Sequence, residues 1–96
     1  MHIIRLSGHI PANKSWEFEQ NVRQTFSRLP SDCTEFSVSE DLNVKGLYHI
    51  QLGWEMARSR DAFLLSENHK SLLASFKVLG ILRNEYVGEF DMIRDE

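Results

Sequence analysis

An α+β domain, with one four-stranded antiparallel sheet covered on one face by two helices, is the fold class this sequence predicts. Three patterns carry the prediction. Apolar and polar residues alternate in four separate stretches, apolar residues recur at helical spacing between them, and Pro or Gly marks several of the joins. The order is strand, helix, strand, strand, helix, strand (βαββαβ). Two strand-helix-strand units with right-handed crossovers interlock as a sheet of order 4-1-3-2, the ferredoxin-like arrangement.

Residues 2–10 form the first strand, with Ile4, Leu6 and Ile10 on one side and Arg5, Ser7 and His9 on the other. Pro11 and Ala12 break it. Asn13 or Ser15 is placed to cap a helix whose apolar stripe is Phe18, Val22, Phe26 and Leu29, ended by Pro30. Alternation resumes over residues 33–41, with Thr34, Phe36 and Val38 inward. The link 41–46 supplies Asn43 and Gly46 for a hairpin loop. The third strand is the most regular, Tyr48, Ile50, Leu52 and Trp54 opposing His49, Gln51 and Gly53.

The second helical region is expected to be broken, Ser59 capping a first turn and Ser66 a longer run with Leu72, Leu73, Phe76 and Leu79 as its stripe. Gly80 suits a left-handed closing residue, with Ile81 folded back on Phe76. The last strand, over residues 84–93, puts Tyr86, Gly88, Phe90 and Met92 toward the helices and Glu85, Val87, Glu89 and Asp91 away. Residues 94–96 read as a frayed end.

The 96 residues, 42% hydrophobic, suffice for one core and one domain, 1–96. A net charge of −3 disfavours a surface that tracks phosphates, and Tyr48 and Trp54 face the helices rather than the open sheet where bases would stack. No nucleic-acid partner is expected. One cysteine, Cys33, excludes an intrachain disulfide, the start lacks an export pattern, and no apolar run approaches a membrane span. A cytoplasmic protein without a membrane partner is expected. The four histidines form no ligand motif, and the five glycines are dispersed rather than gathered in a phosphate loop, so neither a metal nor a nucleotide cofactor is expected.

The run from Trp54-Glu55-Met56 through Ala62-Phe63 and Ser66-Glu67-Asn68-His69 to Leu79-Gly80 resembles the antibiotic-biosynthesis-monooxygenase group of dimeric α+β barrels. The resemblance implies a homodimer whose polar sheet faces, here Arg5, Ser7, His9, Glu35, Ser37, His49, Gln51 and Glu89, meet across a two-fold axis. It also implies a cavity between sheet and helices in which a small aromatic or quinone-type compound reacts with oxygen without a metal or bound cofactor. The matching residues would be Trp54, Tyr48, Phe63 and Tyr86 as substrate-binding groups and His69 as the catalytic base. A non-catalytic ligand-binding or interaction module of the same fold is the alternative. Leu64-Leu65 departs from the group, many of whose members carry a polar residue after Ala-Phe. Haem-degrading relatives are a poorer match, since no Asn lies between Met1 and Ile10.

Overall fold

The computed structural model describes residues 1–89. Its elements are β1 (His2–His9), a 3-10 turn (Ala12–Lys14), α1 (Ser15–Phe26), β2 (Cys33–Glu40), β3 (Leu47–Trp54), α2 (Ala57–Leu64), α3 (Glu67–Leu79) and β4 (Ile81–Glu89). The strands form one antiparallel sheet in the order β2-β3-β1-β4, as the βαββαβ reading requires. The second helical region is indeed two helices. Ser66 closes the front of α3 by accepting a hydrogen bond from the His69 backbone N–H at 3.3 Å.

One face of the central strands carries the core. Ile4, Leu6, Ile50 and Leu52 are fully buried against Phe18 and Val22 of α1 and Leu72 and Phe76 of α3. Phe18 joins the layers, with Tyr48 on one side (ring centroids 5.0 Å apart) and Phe76 on the other (4.9 Å). Of the helical stripes predicted from spacing, Phe18, Val22, Leu72, Phe76 and Leu79 are buried, while Phe26, Leu73 and Leu29, the last beyond the end of α1, are half-buried against the core.

Several local expectations are corrected. Neither Asn13 nor Ser15 caps α1: the N-cap is Lys14, without a side-chain bond, and the Ser15 hydroxyl donates back to the Ala12 carbonyl instead. Ser59 does not start α2, which begins at Ala57 behind an uncapped Met56. Gly80 is not left-handed; its φ is −162°, ordinary extended backbone, and Ile81 beyond it is 55% exposed rather than folded onto Phe76. Phe36 faces the helical side opposite Leu52, but it lies on an edge strand and is 50% exposed, resting on Phe26 at 4.9 Å.

The largest correction concerns β4. Tyr86 pairs with Arg5 and Glu85 with Leu6, and cross-strand partners project to the same side. Tyr86 and Gly88 therefore lie on the open face, and Glu85, Val87 and Glu89 lie on the helical side, the reverse of the expected assignment. A register shift at Ser7 and Gly8 leaves Arg83 as the extra residue of a bulge. Phe90 and Met92, expected in the same strand, and the frayed 94–96 lie outside the described residues. No helix among the described residues is long and apolar enough to cross a membrane.

Candidate functional site

Trp54 ends β3 pointing at the helical side, and Phe63 is the one buried residue of α2. Their rings meet at 5.1 Å with a 44° tilt, and Phe63 meets the His69 imidazole edge-on at 5.7 Å and 68°. Trp54, Phe63 and His69 are thus assembled into one aromatic group. The group is closed to solvent: Trp54 is 1%, Phe63 4% and His69 9% exposed. α2 covers it, held by Phe63 and by Arg60, whose guanidinium donates to the Gly88 carbonyl at 3.1 Å.

His69 is chemically incomplete in this setting. Its Nδ1 is buried and makes no hydrogen bond. A buried polar atom without a partner is uncommon, and it identifies a position that a ligand hydroxyl can complete. Burial lowers the His69 pKa from its usual 6.5, opposed by the Glu85 carboxylate across the helical side of β4. The ring is therefore a neutral base at pH 7. His2, opposite Trp54 in the β1–β3 register, was not foreseen as part of this end of the fold. Its Nδ1 lies 3.4 Å from Glu89 Oε2, close enough for charge attraction but outside hydrogen-bond geometry, so that nitrogen too is unbonded. The strand parity of His2 and Trp54 was the signal for it.

The His69 shift has a thermodynamic consequence. Its folded pKa lies below its unfolded one, so between the two the unfolded chain binds more protons and stability rises with pH. Stability should fall as pH drops below about 6.5, and His69→Gln should remove that part of the slope. Asp41, also lowered in pKa, acts only below its usual 3.8 and leaves this window clear. Urea titrations of both proteins between about pH 5 and pH 7 check it; equal slopes would contradict it.

Tyr48 and Tyr86 are not brought to this group. Tyr48 sits six residues before Trp54 on the same strand face, about 20 Å away at the rise of a β-strand. It is 5% exposed, its hydroxyl donating to Glu19 at 3.4 Å, and burial together with Glu40 and Glu19 raises its pKa above 10.0. It contributes to an open cleft of about 660 Å³ whose walls include Ile10, Pro11, Lys45, Leu79 and Ile81. Tyr86 lies on the far side of the sheet with the Arg5 guanidinium 5.7 Å from its ring centre. Of the Leu64-Leu65 pair, Leu64 packs against the core and Leu65 is 84% exposed. Cys33 is buried, and burial raises its thiol pKa, as suits a packing residue. Among the described residues no group of three or more His, Cys, Asp and Glu is placed to hold a metal ion.

No protein-family model and no curated protein matches the sequence. Solved structures do. A provisionally named antibiotic biosynthesis monooxygenase from Deinococcus radiodurans superposes with a TM-score of 0.75 at 17% identity, covering 100% of this chain and 96% of its own. A protein with the same provisional name from Chloroflexus aurantiacus J-10-fl gives 0.72 at 14% identity, covering 98% and 96%. A conserved protein from Methanosarcina mazei Go1 gives 0.74 at 12% identity, covering 91% and 87%. The chain therefore has the ferredoxin-like α+β fold of structures named antibiotic biosynthesis monooxygenase.

Proposed function

We propose that this chain is a monooxygenase-like protein that acts on a small aromatic or quinone-type compound without a bound cofactor. The observation that carries the reading is the unpartnered, buried Nδ1 of His69 within an aromatic group. A phenolic ligand seated against Phe63 and Trp54 after α2 lifts would offer its hydroxyl to that nitrogen. His69 takes the phenolic proton, and the electron-rich ring then reacts with oxygen. One oxygen atom becomes a ring carbonyl and the other leaves as water, its hydrogens coming from the phenol and the attacked ring carbon. The protein supplies orientation, exclusion of water and the base.

A second reading, a ligand-binding module without turnover, is favoured by the cleft beside Tyr48, which lies far from His69 and has the volume of a small-ligand site.

The test uses 1-naphthol and naphthohydroquinone, with oxygen uptake followed in wild type and His69→Ala. Wild-type uptake should exceed that of His69→Ala by roughly 10²-fold or more, the usual contribution of a positioned base. Trp16 is 73% exposed, so Trp16→Phe leaves Trp54 as the fluorescent reporter of binding. Binding seen by calorimetry that leaves Trp54 fluorescence unchanged and gives no oxygen uptake selects the module reading at the Tyr48 cleft. Uptake unchanged by His69→Ala removes the proposed base.

A further inference from the structure

The open face of the sheet holds an arrangement that the His69 site does not use. The Ser7 hydroxyl lies 2.8 Å from His49 Nδ1, and His49 Nε2 lies 3.1 Å from Asp41 Oδ1. Asp41 is fixed in turn, its other oxygen accepting from the backbone N–H groups of Asn43 and Val44, each at 2.9 Å. An ionised Asp41 draws the imidazole proton to Nε2, which leaves the Nδ1 lone pair to accept the Ser7 O–H. The roles are those of a serine triad with the two ring nitrogens exchanged, Nδ1 facing the serine and Nε2–H the carboxylate.

Ser7 has a second cross-strand neighbour. On β3 it faces His49, and on β4 it faces Asn84, next to the bulge at Arg83. Register partners place their Cβ atoms about 5 Å apart. The Asn84 side chain has no partner among the described residues, and its carboxamide N–H is free to donate to an oxygen developing negative charge above Ser7. Arg5, one position along the same face, is held by Gln51 at 2.9 Å and leaves a fixed positive charge nearby. His49 is 32% and Asp41 27% exposed, so the row is open to solvent in the single chain.

We propose that Ser7, His49 and Asp41, with Asn84 as oxyanion donor, form an acyl-transfer site that hydrolyses small carboxylic esters. Ser7 Oγ attacks the ester carbonyl while its proton passes to His49 Nδ1. The tetrahedral oxyanion is held by Asn84; the carbon–oxygen bond to the leaving group breaks, and His49 returns the proton to the departing alkoxide. Water then attacks the Ser7 ester with His49 again as base, releasing the carboxylic acid and restoring the serine. Asp41 is a positioning residue.

Fluorophosphonate labelling with peptide mass spectrometry, and p-nitrophenyl acetate hydrolysis, test it on the whole chain. The label should fall on Ser7, be absent from Ser7→Ala, and form roughly 100-fold more slowly in Asn84→Ala. Asp41→Asn separates chemistry from structure. Its oxygen can keep the two loop hydrogen bonds while its amide donates to Nε2, forcing the proton to Nδ1; kcat should fall by up to about 10⁴ with KM unchanged. A second copy packed on this face would cover Ser7, so labelling is followed from nanomolar to high micromolar protein with light scattering alongside. Labelling that falls as a dimer forms supports the site and places it at the contact. No Ser7 label at any concentration, or equal hydrolysis by Ser7→Ala, overturns the proposal.

Discussion

Phe76→Ala is expected to lower the unfolding free energy by about 3–5 kcal/mol. The ring is fully buried at the junction of the helical layer and the sheet, tilted 51° against Phe18. It also lies over Gly8 of β1, so close that a Cβ there would stand 2.6 Å from Phe76 Cδ1. The neighbours cannot close the void. Gly8 has no side chain to extend, and Phe18 is already committed to Tyr48. The cavity therefore adds to the lost transfer free energy, and against a total of about 5–15 kcal/mol for an ordinary domain the loss is large. Urea denaturation followed by circular dichroism measures it, with the m-value expected to stay constant. A change below about 1 kcal/mol would mean that the ring is not at the centre of the core.

Gly80→Ala should cost about 3 kcal/mol or more, and Gly80→Asn at least as much. The reason is space rather than backbone angle. The extended φ of −162° is open to any residue, but an added Cβ would overlap the His9 carbonyl oxygen and stand 2.8 Å from Ile10 Cδ1. Neither side can yield easily, because His9 is paired on both edges in the sheet and Gly80 is the single residue between α3 and β4. The pair of substitutions discriminates. A left-handed helix cap would accept asparagine far better than alanine, whereas a close backbone approach penalises both. Thermal unfolding of the two variants decides it, and a mild effect of asparagine would restore the cap.

The His69 end of the fold was legible in part. Period-two alternation put Trp54 inward, the family resemblance pointed to Phe63 and His69 on the second helical region, and Ser66 was recognisable as the cap that sets the start of α3. The unsatisfied state of His69 Nδ1 was not legible. It depends on which atoms pack around the ring, and these come from segments far apart in the chain.

Tyr86 shows where alternation runs out. A period of two separates two faces but does not say which is buried; in a central strand the all-apolar face decides, as for Tyr48, Ile50, Leu52 and Trp54. β4 is an edge strand that is exposed along most of its length, so its residues are not sorted by burial and the hydrophobic pattern has no preference to record. Pairing with β1, after the bulge at Arg83, fixed its phase instead.

Alone, the sequence determined the order of elements, the sheet topology, the inward faces of β1 and β3 and the stripes of α1 and α3, because each follows from residues close in the chain that must hide the same kind of surface. Tertiary structure decided which face β4 presents, why Gly80 is required, and that Ser7, His49 and Asn84 stand in one row across three strands. Ser7 and His49 are 42 residues apart in the chain, and strand register sets their 2.8 Å contact. Register is the joint outcome of burying all the strands against one helical layer, so no local stretch of sequence contains it.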